Sequence, residues 1–487
     1  MTAVTERYET TVGLEIHVEL ATSSKMFCGC EVAFGGEPNT RTCPVCLGLP
    51  GSLPVANERA VEYTIMIGLA LNCRIAERSV FHRKNYFYPD MPKNYQISQY
   101  DVPLCTGGYV DIEGDLGSRR VGITRVHLEE DTGKSIHVGG GGRIAESDYS
   151  LEDFNRAGTP LVEIVTEPDI RSAEEARAFV AELRAILESL GVSDVRMEEG
   201  SLRIDANVSV RPIGEREHGT KVEVKNMNSI RSVARALAYE EQRQRAALEA
   251  GEALVQETRH FDEKTGTTTP LRTKEYAFDY RYFPEPDLVP LEPDPAWVER
   301  IRASLPELPA ARRARLAATY GLPPADVAVL TQTSATARWF EQAAAAYPGD
   351  AKKVANWIVA DLFGLLNEAG LELGQAKIAP AQLAGLIELV DAGRISGKQA
   401  KKVLAEMFAS GEDPRAIVDR LGLEQVSDEA ALEALIDQVI AEEAEAAAKV
   451  RAGNLGTIGY LVGAVMKKSG GRANPRLVNE LLRSKLT

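Results

Sequence analysis

The chain has 487 residues, of which 44% are hydrophobic and 26% charged, and this composition is typical of a globular protein with about three domains. Its net charge of −15 argues against a general nucleic-acid binder, although it says nothing about a local basic patch. The polar N-terminus lacks the apolar core of a signal peptide, and no apolar stretch reaches membrane-spanning length. Six cysteines are too few for a disulfide scaffold in so long a chain, so we expect a reducing, cytoplasmic location away from membranes.

The first predicted element is a β-strand over residues 12–20, in which apolar and polar residues alternate. A period of two places Glu15, His17 and Glu19 on one face and the apolar side chains on the other. Neighbouring carboxylates repel each other, so this pattern favours a bound cation or a catalytic role for the polar face. The alternative is an exposed strand that carries acidic residues by chance.

Two cysteine pairs follow this strand. Cys28 and Cys30 flank a glycine, and Cys43 and Cys46 come after twelve intervening residues. Glycines and a proline supply tight turns, so the two pairs can place four thiolates around one zinc ion. Four protein ligands leave no open position, and the predicted zinc site is therefore structural. Four unlinked thiols or a redox pair are the alternatives.

Basic and aromatic side chains are interleaved over residues 82–101, where Arg83, Lys84 and Lys93 lie among four tyrosines and one phenylalanine. Cations between aromatic rings suit a stacked base, the end of an RNA or ATP. Packing in a core explains the aromatic residues equally well.

A second acidic group lies in residues 125–134, which we predict as a strand that ends in a turn. Successive side chains of a strand point to opposite faces, so only one of Glu129 and Glu130 can join a site with its neighbours. The sequence does not decide between them.

The remaining elements divide the chain into parts of different composition. Up to residue 294, strand patterns alternate with turns around one clear helix at 173–190. Beyond that point the chain is rich in alanine, leucine and glutamate and is almost wholly helical. We therefore predict an α+β protein, with a mixed α/β domain at 1–294 that contains the zinc module near 28–46, an all-helical domain at 295–411 and a small helical tail domain at 412–487.

The tail reverses its charge along the sequence. Residues 427–448 contain several acids and no base, whereas residues 449–487 contain eight basic residues and one acid, Glu480. The basic residues are Lys449, Arg451, Lys467, Lys468, Arg472, Arg476, Arg483 and Lys485. Such a cluster is suited to contacts with phosphates, or it is a solvated helix face.

Long segments of this chain resemble the B subunit of the tRNA-dependent aspartyl/glutamyl amidotransferase. The segment 153–169, for example, reads DFNRAGTPLVEIVTEPD. The resemblance covers nearly the whole chain and is carried by residues 12–20, 83–101, 127–134, 153–169, 197–210, 223–229, 280–287, 395–401 and 473–482.

The resemblance implies a subunit that works with an amidase-like A subunit and a small C subunit. Such a complex binds glutamyl-tRNA(Gln) or aspartyl-tRNA(Asn), phosphorylates the side-chain carboxylate with ATP and Mg²⁺, and lets ammonia from the A subunit displace the phosphate. The resemblance also implies a cradle-shaped catalytic domain, followed by helical and tail domains that hold the tRNA. The chain itself has no Gly-Gly-Ser-Ser-Gly-type amidase segment, which fits a subunit that depends on its partner for ammonia.

Phosphoryl transfer between two anions requires a divalent metal, and hard metals prefer oxygen ligands. We expect Glu15 and one of Glu129 or Glu130 to be carboxylate ligands, with His17 as a ligand or as the residue that orients one. Glu163, in an apolar strand pattern, is a further candidate for this cluster.

ATP must be bound without a Walker-type loop, since the chain has none. We expect Arg83 and Lys84 to hold the ATP phosphates and Lys134 to stabilise the transferred phosphoryl group.

The competing interpretation is a non-catalytic scaffold that binds tRNA and presents it to a partner. The basic tail suits that role equally, whereas the strand face with Glu15 and His17 would then have no purpose. ATP hydrolysis that depends on Glu15 separates the two interpretations. An independent zinc-ribbon protein that binds nucleic acid is disfavoured by the negative net charge.

Overall fold

The computed structural model describes residues 7–114, 117–139, 147–273, 279–424, 429–470 and 473–486, and the side chains of residues 272–273 and 429–431 lie outside this description. The chain divides into two compact units, Met1–Pro309 and Ala310–Thr487. The first unit combines a mixed sheet with helices, and the second is helical, which confirms the predicted α+β fold class.

The first unit is built around one large sheet. Within the described residues, the strands of the first unit are β1 (Tyr8–Glu19), β2 (Arg74–Ile75), β3 (Phe81–Asn85), β4 (Tyr95–Gln99), β5 (Cys105–Gly114), β6 (Gly117–Glu130), β7 (Lys134–Val138), β8 (Tyr149–Asp153), β9 (Pro160–Thr166), β10 (Leu202–Pro212), β11 (Val222–Lys225), β12 (Glu257–Asp262), β13 (Thr267–Thr273) and β14 (Phe283–Pro284). Nine of these described strands form the large sheet in the order β13-β12-β11-β10-β1-β9-β6-β5-β2. Its neighbouring strands are antiparallel except for β11 and β12. Strands β14, β3 and β4 form a second sheet, and β7 and β8 form a hairpin.

Strand β1 lies in the middle of the large sheet, between β10 and β9, and its two faces differ. Ile16 and Val18 are fully buried and belong to the core. Glu15, His17 and Glu19 on the other face are only partly buried. The alternation predicted for this segment is therefore confirmed, and it separates an apolar face from a polar one.

Helices pack on the apolar side of the sheet. They are α1 (Glu58–Ala70), α2 (Ala173–Leu190) and α3 (Ile230–Glu249), and α4 (Pro295–Ser304) packs against α1. Helix α2 contacts β5, and α3 contacts β10. The bounds of α2 agree with the prediction: the hydroxyl of Ser172 accepts the backbone N–H of Glu175 at 3.0 Å, and Gly191 ends the helix with a φ of 67°.

The second unit consists of short helices around two separate apolar cores. The helices are α5 (Pro309–Tyr320), α6 (Pro324–Leu330), α7 (Ser334–Ala346), α8 (Ala351–Asn356), α9 (Phe363–Ala369), α10 (Pro380–Asp391), α11 (Gly397–Ser410), α12 (Pro414–Leu421), α13 (Glu429–Glu442), α14 (Ala444–Arg451), α15 (Ile458–Lys468) and α16 (Pro475–Leu486). One core extends from Leu316 to Val418 and the other from Leu432 to Leu486. The predicted limits of the three domains stay a prediction. Among the helices of the described segments, none is both long and apolar enough to cross a membrane.

Candidate active site

Four neighbouring strands each place one residue in a row across the polar face of the large sheet. Strand pairing sets His17 of β1 opposite Arg203 of β10 on one side and opposite Glu163 of β9 on the other. Glu163 is in turn paired with His127 of β6. Directly paired residues of antiparallel strands point to the same face. The row therefore brings two imidazoles, a carboxylate and a guanidinium together from distant parts of the sequence.

A compact cluster forms where Glu129 of β6 joins this row. The Nε2 atom of His17 lies 3.4 Å from a carboxylate oxygen of Glu163 and 3.7 Å from one of Glu129. The Nε2 atom of His127 lies 3.7 Å from Glu163 and 3.8 Å from Glu129. Potential ligand atoms of His17, Glu129 and Glu163 all lie within 4.8 Å of one another, so these three residues can hold one metal ion.

Burial and opposite charges act against each other in this cluster. Burial disfavours the ionised form of Glu163, but the neighbouring His127 and His17 hold its pKa below the usual value for glutamate. Burial likewise opposes ionisation of Glu129, and interactions with His127, Lys84 and His17 lower its pKa. For His17, burial lowers the pKa, but the nearby Glu163 and Glu129 raise it above its ordinary value. Both carboxylates are therefore ionised at neutral pH, which is the form that can bind a metal ion.

Three further side chains surround the two carboxylates. The hydroxyl of Ser98 donates to Glu129 at 3.1 Å, and Arg125 Nη2 donates to Glu163 at 3.2 Å. The ammonium of Lys84 lies 5.1 Å from the ring centroid of Tyr280. Burial lowers the pKa of Lys84, but the charges of Glu129 and other neighbours raise it, so the ammonium stays protonated beside the cluster.

Glu15 lies on the same face of β1 but outside this set of three potential ligands. Its cross-strand neighbours are Asp205 on β10 and Val165 on β9. Its carboxylate accepts a hydrogen bond from Asn207 Nδ2 at 2.9 Å. The structure therefore brings His17 into the cluster and leaves Glu15 two residues away along the strand.

Glu130 points to the opposite side of β6 from Glu129. Its carboxylate pairs with the ammonium of Lys93 and accepts the backbone N–H of Ile97 at 2.9 Å. Both charged side chains are buried, so this pair connects β6 to the segment around β4. Of the two acids between which the sequence did not decide, Glu129 is therefore the one that lies in the cluster, and Glu130 faces away from it.

Arg83 is engaged in an ion pair with the buried Glu285. Its Nε and Nη2 atoms lie 2.6 Å and 2.8 Å from the two carboxylate oxygens, and Nη2 lies 3.3 Å from Asp287. The guanidinium carbon also lies 4.3 Å from the ring centroid of Tyr95. These contacts engage Nε and Nη2 of Arg83 and connect β3 with the segment after β14, and the expected contact of Arg83 with ATP phosphates stays a prediction.

Lys134 lies at the start of β7, outside the cluster, and lines a cavity of about 710 Å³. Glu19, Arg156, Thr159 and Ser201 line other parts of its wall. A cavity of this size can accommodate a small organic ligand. The polar face of β1 therefore continues from the cluster to the wall of a cavity that also contains Lys134.

Glu19 belongs to a charged group with Asp131, Arg156 and Arg203. A carboxylate oxygen of Asp131 lies 2.6 Å from Arg203 Nη2 and 3.7 Å from Arg156 Nε. Burial and the neighbouring Asp131 raise the pKa of Glu19 to about 8, whereas the two arginines lower it. This group lies beside the metal-ligand candidates on the same face of the sheet.

The four cysteines that we predicted to bind zinc are brought together. Sulfur atoms of Cys28, Cys30, Cys43 and Cys46 lie within 4.8 Å of one another, and those of Cys43 and Cys46 are 3.9 Å apart. Sulfur atoms that bind one zinc ion tetrahedrally are about 3.8 Å apart. The spacing therefore fits a closed four-thiolate site.

Lys25 lies against this cysteine module and is only 1% exposed. Its ammonium donates to the backbone carbonyls of Arg41 at 2.8 Å and Phe154 at 3.2 Å, and it lies 3.7 Å from the sulfur of Cys46. A buried ammonium requires an opposite charge nearby, and a thiolate at Cys46 supplies one. Lys25 also connects the module to the segment between β8 and β9.

His127 and Arg125 are site residues that the sequence analysis did not predict. They alternate with Glu129 on β6, which is the same signal that marked the polar face of β1. The residues that they meet belong to other strands, so the local pattern did not show which metal-ligand candidates they contact.

The aromatic residues near Lys84 are partly packed and partly exposed. Tyr100 and Tyr282 stack with ring centroids 4.3 Å apart and an interplanar angle of 6°. Phe87 is 77% exposed. The structure therefore contains both packed and exposed aromatic rings, and each corresponds to one of the two alternatives that the sequence left open.

The basic residues of the tail differ in their contacts. Lys485 pairs with Asp437 at 2.8 Å, so its charge is engaged within the tail. The side chain of Arg476 is 90% exposed and lies 3.6 Å from Glu480, and Arg483 is also exposed. Arg472 lies outside the described residues.

Comparisons with known proteins agree with the resemblance noted in the sequence. Residues 10–299 match the profile of the GatB/GatE catalytic domain, and residues 338–486 match that of the GatB domain. Three relatives are named as the B subunit of an aspartyl/glutamyl-tRNA(Asn/Gln) amidotransferase. The protein from Moorella thermoacetica is 58% identical over 98% of this chain and 100% of its own length. Those from Carboxydothermus hydrogenoformans and Geotalea uraniireducens are 54% and 53% identical, over 98% and 99% of this chain respectively and 99% of their own length.

Proposed function

Because the chain belongs to the family of aspartyl/glutamyl-tRNA(Asn/Gln) amidotransferase B subunits, we propose that it uses ATP and Mg²⁺ to activate the side-chain carboxylate of a tRNA misacylated with glutamate or aspartate. A role in tRNA-dependent amidation follows from this membership. The enzyme is then the subunit complex, a ligase that takes its nitrogen from glutamine.

One observation carries the proposal: the catalytic-domain match contains a buried cluster of two ionised carboxylates and an imidazole. Glu129, Glu163 and His17 offer ligand atoms within 4.8 Å of one another. Two carboxylates fit the preference of Mg²⁺ for oxygen ligands, and Mg²⁺ usually keeps several waters besides. These residues would hold the ion, which when bound neutralises charge on the phosphate oxygens of ATP.

The reaction then consists of two steps. The bond between the terminal phosphorus of ATP and its bridging oxygen breaks, ADP leaves with the electron pair, and that phosphorus forms a bond to an oxygen of the substrate carboxylate. Ammonia next attacks the activated carbonyl carbon, the carbon–oxygen bond to the phosphate breaks, and inorganic phosphate leaves. The nitrogen loses one proton as the amide forms.

Side chains of this chain hold the substrates and the metal ligands in place for these steps. Lys84 keeps a protonated ammonium beside Glu129 and Glu163, so it can hold an anionic oxygen of either substrate. Arg125 and Ser98 hold the two carboxylates by hydrogen bonds and thereby fix the ligand geometry. Glu15 remains a candidate ligand through its position on the same face of β1.

Other parts of the chain receive structural and binding roles. We assign one structural zinc ion to Cys28, Cys30, Cys43 and Cys46, because a closed four-thiolate site leaves no position for a substrate.

The partners are an amidase-like A subunit that supplies ammonia and a small C subunit. We assign tRNA binding to the helical part and its tail at 412–487, and we place the complex in the cytoplasm.

A non-catalytic scaffold is the second candidate, and the cluster argues against it. A surface that only binds tRNA phosphates needs cations, whereas Glu129 and Glu163 are buried acids beside two histidines. Two buried carboxylates would repel tRNA phosphates, whereas they are the oxygen ligands that Mg²⁺ prefers.

The test uses the complex reconstituted with its A and C subunits. We expect ADP formation to require charged tRNA, and His17→Ala to reduce it by roughly 100-fold or more. The matched control is His137→Ala, a half-buried histidine on the β7–β8 hairpin whose Nδ1 contacts Ser150. Normal ADP formation by His17→Ala, or none by the unmodified complex, contradicts the proposal.

A further inference from the structure

Arg203 of β10 lies beside the cluster with part of its guanidinium unengaged, and we propose that it binds the phosphoryl group during its transfer from ATP. This inference rests on the proposed function and adds a catalytic residue to it. The position of Arg203, the contact that orients it and its remaining donor all support this role.

The position of Arg203 follows from strand pairing. Arg203 is the direct partner of His17 in the antiparallel β1–β10 pair. Paired Cα atoms in such strands are about 4.5–5.5 Å apart, and both side chains point to the same face. Arg203 therefore occupies the next position in the row after the imidazole that contacts Glu129 and Glu163.

The orientation of Arg203 is fixed by Asp131. Arg203 Nη2 donates to the buried carboxylate of Asp131 at 2.6 Å. The same carboxylate oxygen lies 3.7 Å from Arg156, whose Nε and Nη2 donate to the carbonyls of Thr132 and Gly133 at 3.1 Å and 2.7 Å. This contact holds one terminal nitrogen of the planar guanidinium and leaves its other donors for a second acceptor.

One buried donor of Arg203 has no partner. Among the described residues, its Nε is a buried nitrogen without a hydrogen-bond acceptor in the protein. Buried donors are nearly always satisfied, so such an atom indicates a missing acceptor. The Nε atom is covered, but the side chain as a whole is 37% exposed, so a ligand can approach other parts of it.

Two other arginines near the cluster are more fully engaged, and the remaining cation is a lysine. Arg125 donates to Glu163 and contacts His127 at 3.3 Å, and Arg83 forms its bidentate pair with Glu285. Lys84 carries a point charge over the ring of Tyr280 and has no planar fork. Of these cations, Arg203 combines a guanidinium held at one nitrogen with a buried donor that lacks an acceptor.

The chemistry explains why such a donor is useful. As the bond to the ADP oxygen breaks and the bond to the substrate carboxylate oxygen forms, negative charge is spread over the three outer oxygens of the phosphoryl group. A guanidinium that is already oriented can bind two such oxygens at once. It then stabilises the transition state more than it stabilises the bound ATP or the bound carboxylate substrate. Arg203 is not consumed, and it neither gains nor loses a proton.

The experiment measures ADP formation by the reconstituted complex with charged tRNA, for Arg203→Lys and Arg203→Ala. We expect the rate constant at saturating ATP to fall by roughly 100-fold or more, with the Michaelis constant for ATP changed by less than about threefold. Guanidinium chloride below denaturing concentrations should raise the rate of Arg203→Ala at least about tenfold, since the free guanidinium ion can replace the missing group.

The control is Arg211→Ala on the same strand and face. Arg211 pairs with Glu9 at 2.7 Å and lies eight residues along β10, or about 26 Å away. We expect this variant to keep the full rate.

Thermal melting of both Arg203 variants separates a folding defect from a catalytic one, and the lysine variant retains a cation for Asp131. A rate within about threefold of the unmodified complex in a folded Arg203 variant, or a loss that guanidinium does not restore, overturns the inference. If His17→Ala is inactive in the same assay, the proposed function stands even when the Arg203 inference fails.

Discussion

His17 and Glu163 face each other across the β1–β9 pair, with Nε2 3.4 Å from a carboxylate oxygen. Each belongs to a strand whose other side is part of the apolar core. Their relative position is therefore fixed by the packing of the sheet, and a metal ion held between them would have little freedom to shift.

Glu129→Gln and Glu130→Gln should have different effects, although the two residues are adjacent. The first removes a charge from the cluster, so we expect the Mg²⁺ concentration at half-maximal ADP formation to rise by roughly tenfold or more. The second leaves the buried Lys93 without its partner, so we expect the free energy of unfolding to fall by roughly 3 kcal/mol. Mg²⁺ titrations and urea denaturation of both variants check the prediction, and equal Mg²⁺ requirements would contradict it.

Arg83→Met should lower the stability of the protein and leave ATP binding nearly unchanged. Arg83 forms two hydrogen bonds with the buried Glu285, and removing one partner of a buried ion pair typically costs about 3–5 kcal/mol. We therefore expect a clear fall in melting temperature with a Michaelis constant for ATP close to that of the unmodified complex. If the Michaelis constant rises sharply at an unchanged melting temperature, Arg83 holds ATP as the sequence analysis expected.

The cysteine module should contain about one zinc ion per chain in protein purified without chelators. Cys46→Ser should lose the metal, because it removes one of four thiolates that lie within 4.8 Å of one another. Cys73→Ala is the control: burial raises the pKa of the Cys73 thiol to about 12, and this residue lies outside the module. Elemental analysis of both variants is the measurement, and a fully folded protein without zinc argues against the assignment.

Arg476→Glu with Arg483→Glu should weaken tRNA binding in a salt-dependent way. Removing one phosphate contact reduces the slope of log affinity against log salt by about 0.7–0.9. These exchanges test the tail better than deletion of residues 449–487, since Val478 and Leu482 belong to its apolar core. Lys485→Gln is the control, because that side chain is 26% exposed and pairs with Asp437, whereas Arg476 is 90% exposed. Filter binding at several salt concentrations checks the prediction, and an unchanged slope for the double variant would exclude a phosphate contact.

The polar face of β1 and the helix α2 were predictable because their signals are local. Alternation over residues 12–20 needs only the chain itself, and the bounds of α2 follow from Ser172, Gly191 and the apolar stripe between them. The cysteine module was predictable for a similar reason, since its two pairs lie close in sequence.

The partners of these segments were not predictable, because strand register joins residues that are far apart in the chain. His127 meets Glu163, which meets His17, only through the order β6-β9-β1. For the same reason, the sequence did not predict that Arg83 pairs with Glu285. Alternation showed that Glu129 and Glu130 must differ, but only the neighbouring strands decide which of them faces the cluster.

Strand β1 uses its even and odd positions for different purposes, and this restricts how its length can change. Inserting or deleting one residue between Glu15 and His17 would turn His17 and the side chains beyond it to the other face. His17 would then enter the apolar core, and Ile16 or Val18 would take its place opposite Glu163. Substitutions in this strand can be tested one side chain at a time, whereas a single-residue insertion would damage the fold and the reaction together.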